Sequence, residues 1–132
     1  MWRTIAAVIA ALAVWTVVAT ILNFGLRAGL PGYHAAESTL QFTMAMKIGR
    51  LSLAALASLA AGASVRAVAP ASRAAPWVAG AIVLALFLPV HVQLWSNFPA
   101  WYHLTFLLSI IPLFVLGAAL WSRTGKTGAM QP

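Results

Sequence analysis

The sequence predicts an all-α membrane protein, a bundle of four transmembrane helices with short connectors, and three observations support this fold class. The chain of 132 residues is 63% hydrophobic, and only 7% of its residues are charged. A soluble domain carries about 25% charged residues, so this composition suits lipid better than water. Four apolar runs are long enough to cross a hydrocarbon core of roughly 30 Å. Backbone groups in lipid must pair internally, which favours helices.

The first predicted span covers residues 4–22 and follows the basic residue Arg3. A basic start and an apolar middle are also typical of a cleaved signal peptide. This run is long for a signal peptide, however, and has the right length for a span. Cleavage at its one small-x-small site, residues 11–13, would leave too short an apolar region. We therefore expect an uncleaved helix, followed by an irregular connector over residues 23–37.

The second predicted span covers residues 48–69, and two cations lie at its start. Lys47 and Arg50 would lie inside the membrane if the helix began well before them, and at the interface if it began beside them. Charged side chains within a span usually face a cavity or a partner. Long side chains near the end of a span can instead extend to the headgroups. We expect Lys47 and Arg50 to do the latter.

Small residues recur every four positions in the second span, at Ala54, Ser58 and Gly62. Small residues at this spacing let helix backbones approach closely in lipid. We therefore expect this face to pack against a neighbouring helix, either in the same chain or in another copy.

Tryptophan residues bracket both remaining spans, which are predicted over residues 77–95 and 101–121. Tryptophan is enriched at membrane–water interfaces, so its positions support these boundaries. The short segment 96–100 is the predicted turn between the two spans. Residues 122–132 form a tail that we expect to be flexible. The chain, residues 1–132, is thus expected to be a single transmembrane domain.

The distribution of lysine and arginine predicts the orientation, because cytoplasmic connectors carry an excess of these residues. With four spans, both termini lie on one side of the membrane, together with the 66–76 connector. That side holds Arg3, Arg66, Arg73, Arg123 and Lys126, and the other side holds Arg27, Lys47 and Arg50. We therefore expect a multi-pass protein, in a bacterial inner membrane, with both termini in the cytoplasm.

The same topology gathers all three histidines and the only carboxylate side chain at the opposite, outer face. His34 and Glu37 lie in the first connector, while His91 and His103 lie six residues on either side of Asn97. If both arms of this hairpin are helical, the two imidazoles lie at matched depth, about 9 Å from the turn. The polar residues expected to support them are Tyr33, Asn97, Tyr102 and Arg50.

Imidazole and carboxylate groups suit zinc, copper, iron or manganese, so His34, Glu37, His91 and His103 are candidate ligands of one metal ion. Alternatively, His91 and His103 could ligate a haem, although hairpin helices that pack about 8–10 Å apart would have to splay. These residue types also favour the membrane interface without any ligand. In that case, Glu37 would pair with a cation at the start of the second span.

Several function classes lack the residues that they need. The chain has no cysteine, which excludes disulfides, thiolate metal ligands and thiol redox chemistry. The net charge of +7 comes from scattered cations, without the basic stripe interleaved with aromatic residues that nucleic-acid binding would need. Small multidrug transporters of similar length depend on a carboxylate in their first span, and residues 4–22 contain none.

We expect a non-enzymatic protein of the lipid bilayer, an accessory or interaction subunit that packs against itself or another membrane protein. The lack of a buried acid, a nucleophile or a soluble domain favours this function, as does the small-residue face of the second span. The alternative is a membrane enzyme or cofactor carrier, in which the histidines ligate a metal or haem, Glu37 is a ligand or base and Tyr102 orients a substrate. A third hypothesis, a small transporter, would use the two cations of the second span and a polar stripe of Thr105 and Ser109.

Overall fold

A computed structural model of the chain describes residues 1–129, with side chains described as far as Thr124. Within this range the chain forms helices and no β-strand, and four of the helices are long and apolar enough to cross a membrane. The elements are α1 (Trp2–Gly29), α2 (Tyr33–Thr39), α3 (Met44–Val68), α4 (Ala75–Gln93), a 3-10 turn (Trp95–Asn97) and α5 (Ala100–Ala129). The all-α, four-span architecture predicted from the sequence is confirmed.

α1 extends further than the predicted span of residues 4–22 and ends at Gly29. Gly25 does not end the helix, because one glycine costs only about 1 kcal/mol relative to alanine. The end follows from Pro31, which disfavours helical conformation in the residue before it. Gly32 then adopts a positive φ of 80°, which a residue without a Cβ tolerates. The predicted irregular connector is therefore a short turn that leads into α2.

α3 begins at Met44, before the predicted start of the second span. The hydroxyl of Thr43 accepts a hydrogen bond from the backbone N–H of Met46 at 3.3 Å. Such a cap satisfies a donor that the first turn of a helix leaves unpaired. As a result, Lys47 and Arg50 both lie within the helix. Arg50 is about 9 Å along its axis from the first residue, at 1.5 Å per residue.

α3 lies in the middle of the bundle, since its largest contacts are with α1 and α5. The backbones of α3 and α5 approach closely, because a Cβ added at Gly62 would overlap the carbonyl oxygen of Phe114. A Cβ added at Gly117 would likewise overlap the carbonyl oxygen of Leu59. Glycine is therefore required at both positions for this helix contact.

The remaining small residues of α3 contact α1. The indole N–H of Trp15 donates a hydrogen bond to the hydroxyl of Ser58 at 3.1 Å. Ala54 is buried in the same apolar cluster as Ala7 and Ala11. The small-residue face of α3 is thus covered by two helices of its own chain.

α4 and α5 form a helical hairpin closed by the 3-10 turn. Pro89 and Pro112 lie inside the two helices, which continue past them. α5 also continues beyond the predicted end of the fourth span, as far as Ala129. The rest of the segment predicted to be a flexible tail, residues 130–132, lies outside the described residues.

Large apolar side chains cover the outside of the bundle. Examples with more than half of their surface exposed are Ile5, Ile9, Val17, Ile21, Leu86 and Leu108. Hydrocarbon, unlike water, solvates such side chains without cost. This surface agrees with a multi-pass membrane protein.

Candidate functional site

The side chain of Arg50 points into the bundle. Its Nε donates a hydrogen bond to the hydroxyl of Tyr102 at 3.1 Å, and one terminal nitrogen donates to the hydroxyl of Tyr33 at 2.9 Å. The guanidinium carbon lies 4.7 Å from the ring centre of Phe42, within the range of a cation–π interaction. The side chain of Arg50 therefore turns toward two residues of its own chain, which the expectation of extension to the headgroups did not include. The helix starts before this residue, and the two hydroxyls hold its guanidinium inside.

Both tyrosines are fixed by their surroundings. Tyr33 is fully buried, and its hydroxyl donates a hydrogen bond to the side-chain oxygen of Asn23 at 2.8 Å. Tyr102 is buried as well, and its ring stacks on that of Phe98 with centroids 4.6 Å apart. The network around Arg50 thus joins α1, α2, α3 and α5. Asn23 was not anticipated as a site residue, because in the sequence it only ends an apolar run.

Glu37 pairs with Arg27. Two hydrogen bonds, of 2.6 and 3.0 Å, join the guanidinium of Arg27 to the two carboxylate oxygens. These bonds stabilise the charged form and hold the pKa of Glu37 below its ordinary value. The Nδ1 atom of the exposed His34 lies 3.7 Å from the same carboxylate. Glu37 therefore does not pair with a cation of the second span, as one interpretation of the sequence suggested.

A cavity of about 430 Å³ lies beside Arg50. This volume falls within the roughly 300–1,000 Å³ typical of small-molecule sites. The polar part of its lining consists of Thr20, Asn23, Arg27, Glu37, Arg50 and Tyr102. The apolar part consists of Trp15, Ala19, Phe24, Leu53, Phe87 and Phe106. The cavity therefore combines charged and hydroxyl groups with apolar walls.

One positive charge at this cavity has no carboxylate partner. Glu37 is the only acidic residue of the chain, and Arg27 binds it. Within the part of the chain that the structure describes, Arg50 donates only to the two neutral hydroxyls. A guanidinium has five N–H groups. Arg50 therefore has further donors for a ligand in the cavity.

His91 and His103 contact each other across the α4–α5 hairpin. Their Nδ1 atoms are 2.7 Å apart, and both rings are buried. The Nε2 atom of His103 lies 3.2 Å from the backbone carbonyl of Trp95. A carbonyl can only accept, so this nitrogen carries a hydrogen. In the neutral pair, Nδ1 of His103 then accepts a hydrogen bond from the Nδ1–H of His91.

The four candidate metal ligands form two separate pairs. His91 lies against His103, whereas His34 lies beside Glu37. Across the described residues, no three histidine or carboxylate groups are placed to hold one metal ion. The four-ligand site suggested by the sequence is not assembled, because Arg27 occupies both oxygens of Glu37. The direct contact of the two imidazoles also leaves no space for a haem between them.

Other polar residues considered in the sequence lie outside the Arg50 network. Asn97 is exposed at the end of the 3-10 turn. Thr105 is exposed too, and the hydroxyl of Ser109 donates to the carbonyl of Phe106 in its own helix at 3.0 Å. The polar stripe that a transporter would have used therefore does not line a path through the bundle.

Comparison with known proteins assigns no family to the chain. No protein-family model matches it, and neither a curated protein nor a solved structure does. The function is therefore argued from the chemistry of Arg50 and of the cavity beside it.

Proposed function

We propose that this protein is a non-enzymatic membrane protein that binds an anionic amphiphile, with Arg50 as the residue that holds the anionic headgroup. The observation that carries the proposal is a guanidinium without a carboxylate partner beside a cavity of about 430 Å³. A charged side chain within a membrane span is costly and usually marks an ion or ligand site.

The hydrogen bonds of Arg50 suit a planar anionic headgroup. Tyr33 and Tyr102 each accept one hydrogen bond and so fix the plane of the guanidinium. Among the described residues, one terminal nitrogen of Arg50 has no hydrogen-bond partner. The other terminal nitrogen, which donates to Tyr33, has a second N–H that is unpaired. A carboxylate can accept both, because guanidinium and carboxylate groups form paired, parallel hydrogen bonds.

The charges at the cavity favour a ligand with a single negative charge. Arg27 and Glu37 neutralise each other, so Arg50 alone is uncompensated. An unpaired charge removed from water carries a desolvation cost that a close opposite charge offsets. A carboxylate should therefore bind far better than a neutral analogue of the same shape.

The apolar walls favour an amphiphile over a small inorganic anion. Trp15, Phe87 and Phe106 form a chain of aromatic contacts beside the cavity, with ring centroids 4.8 and 5.2 Å apart. These rings suit a hydrocarbon body. They would leave the water shell of an inorganic anion without hydrogen-bond partners, which is unfavourable.

Quenching of tryptophan fluorescence by a brominated fatty acid tests the proposal, because Trp15 lines the cavity. The protein in a maltoside detergent would be titrated with dibromostearate and with its neutral methyl ester. We expect saturable quenching by the acid, and loss of the saturable part in Trp15→Phe. Arg50→Gln should weaken binding about tenfold or more, since hydrogen bonds to charged groups contribute about 1.5–3 kcal/mol.

The matched control is Arg73→Gln, which makes the same charge change at an exposed residue of the α3–α4 connector. This variant should bind the acid as the wild type does. Equal quenching by the acid and its ester would contradict the proposal. So would equal affinity of Arg50→Gln and the wild type.

The three functions expected from the sequence, an accessory subunit, a metal or haem protein and a small transporter, stay predictions. The small-residue face that favoured an accessory or interaction subunit is covered within the chain, so it no longer points to a partner. The metal or haem alternative has two adjoining histidines, but no third ligand joins them among the described residues.

We also propose that both termini face the cytoplasm of a bacterial inner membrane, on the basis of the lysine and arginine bias. The Arg50 cavity, near the start of α3, would then lie in the outer half of the bilayer.

Because the chain has no cysteine, single thiols can be introduced as Ala71→Cys and Ser96→Cys. A membrane-impermeant maleimide should label Ser96→Cys in intact spheroplasts and Ala71→Cys only after permeabilisation. The reverse pattern would contradict this orientation.

A further inference from the structure

We propose that the His91–His103 pair is a proton-binding site coupled to the Arg50 cavity, so that the protein takes up a proton together with its anionic ligand. This inference rests on the proposed function and adds a second binding activity to it. The ligand and the proton together make up a weak acid. The protein would thus bind the two components of an acid at adjoining sites.

The pair has one ring nitrogen ready to accept a proton. Nδ1 of His91 bonds to Nδ1 of His103, and Nε2 of His103 bonds to the carbonyl of Trp95. Nε2 of His91 has no hydrogen-bond partner within the described residues. Nε2 is not among the fully buried unpaired atoms of the described residues, so this lone pair stays accessible to a proton.

His91 also lines a second cavity, of about 80 Å³. The rest of its lining includes His103, Arg50 and Tyr102. A cavity holds a water molecule when it offers about 10–15 Å³ and two or more polar partners. Water therefore fits between the imidazoles and the guanidinium, and it gives a proton a route to His91.

The two cavities share part of their lining. Arg50, Phe87, Tyr102 and Phe106 line both of them. The ring of His91 also lies 4.4 Å from that of Phe106 and 6.2 Å from that of Tyr102, measured between centroids. A charge in the larger cavity is therefore close enough to act on a charge at the histidine pair.

The groups that face the pair favour the joint uptake of a proton and an anion. They are Arg50 from α3, Tyr102 from α5 and the Trp95 carbonyl from the turn. None of them is negatively charged. A proton on the pair would be repelled by Arg50, whereas an anion beside Arg50 attracts both positive charges. Each ligand thus strengthens the binding of the other, as linkage requires.

The added proton has a defined position. It comes from hydronium, which loses one O–H bond and leaves a water molecule, and it bonds to Nε2 of His91, which becomes an imidazolium. Nδ1–H of His91 still donates to His103, and Nε2–H of His103 still donates to Trp95. Only one N–H bond forms, and the charge of the pair rises by one.

The test uses decanesulfonate, an anion that stays ionised near neutral pH, so that any proton taken up belongs to the protein. Calorimetric titration of the full-length protein in buffers of different ionisation enthalpy counts the protons. The titrations run from about pH 4 to 8, because burial and the nearby Arg50 cation oppose protonation of His91 and a bound anion offsets part of that opposition. Within this range we expect uptake of up to about one proton per sulfonate. The affinity should then fall by up to about tenfold per pH unit as the pH rises.

Two variants locate the proton. His91→Gln should bind decanesulfonate with no proton uptake and with an affinity that does not depend on pH. His34→Gln is the matched control, because His34 is exposed on α2 and lies outside the pair. It should take up the proton as the wild type does. Loss of uptake in His34→Gln and not in His91→Gln would overturn the assignment.

The experiment separates this inference from the proposed function. If the wild type binds decanesulfonate through Arg50 but takes up no proton, the coupling is wrong and the Arg50 site stands. If decanesulfonate does not bind at any pH in this range, the proposed function fails, and the coupling fails with it. The wild-type proton count is decisive even if His91→Gln does not fold.

Discussion

Arg50 lies about 9 Å along α3 from its first residue, and its side chain is partly buried beside the cavity. Two tyrosine hydroxyls and the face of Phe42 solvate the cation. These groups are neutral, so they stabilise the charge without cancelling it. The positive potential that results is what gives the adjoining cavity its preference for an anion.

The ion pair of Glu37 with Arg27 should make stability depend on pH. The hydrogen bonds from Arg27 hold the pKa of Glu37 below its ordinary value of 4.5. A depressed pKa means that the pair stabilises the fold above about pH 4.5 and that this stability is lost as the pH falls through the folded-state pKa. At pH 7, Glu37→Gln should therefore unfold at a slightly lower temperature than the wild type in the same detergent. The difference should be small, because the pair is partly exposed.

The check is a thermal unfolding series of both proteins between about pH 7 and pH 3. Their unfolding temperatures should converge in acid, since the wild-type carboxylate becomes protonated. His91 and His103 are present in both proteins and cancel in the comparison, whereas His34, 3.7 Å from the carboxylate, loses this partner in Glu37→Gln and contributes to the gap. A gap that stays constant down to about pH 3 would show that the pair does not stabilise the fold.

Only part of the site could be predicted from single residues. Tyr33, Tyr102 and Arg50 were expected at one face, and they meet there. The role of Asn23 and the pairing of Arg27 with Glu37 were not visible, because both depend on α1 continuing to Gly29. Asn23 and Arg27, which the sequence places in a connector, thereby become part of a helix that lines the cavity.

At the scale of the helices, the contact between α3 and α5 depends on the absence of side chains at Gly62 and Gly117. Gly62→Ala would push a Cβ into the carbonyl of Phe114, so the two backbones would have to separate. We expect the free energy of unfolding to fall by about 1–3 kcal/mol, as for other overpacked sites. Reversible unfolding in mixed micelles would measure the change.

Gly25→Ala is the matched control for this substitution. A Cβ added at Gly25 meets no atom within 4 Å, and the residue is also helical. Alanine favours the helix by up to about 1 kcal/mol relative to glycine, so this variant should be unchanged or slightly more stable. If Gly62→Ala behaved like Gly25→Ala, the close α3–α5 approach would be wrong.

The existence of four helices long and apolar enough to span a membrane followed from the length of the apolar runs, whereas the ends of these helices did not. Apolar length is a property of 20 or so residues together, and it tolerates local exceptions. The ends depend on single residues, such as the cap at Thr43 and the positive φ at Gly32. The position of Thr43 matters most, because it places Arg50 inside the bundle.

At the scale of the whole molecule, the cavity reflects unequal packing among the helices. α3 packs extensively on α1 and α5, whereas α1 makes only a small contact with α4. The space that results is lined by residues from all five helices. No stretch of sequence predicts such a space, because it depends on how distant helices are arranged.

The proposed binding of an anionic amphiphile at Arg50 within this cavity can be mapped residue by residue. Photocrosslinking with a fatty acid that carries a diazirine on its chain, followed by peptide mapping, tests it most directly. We expect labels to concentrate on the cavity residues Trp15 to Phe24 and around Phe106, and to disappear in Arg50→Gln but not in Arg73→Gln. Labels spread over the exposed apolar surface, at the same level in Arg50→Gln, would contradict the claim.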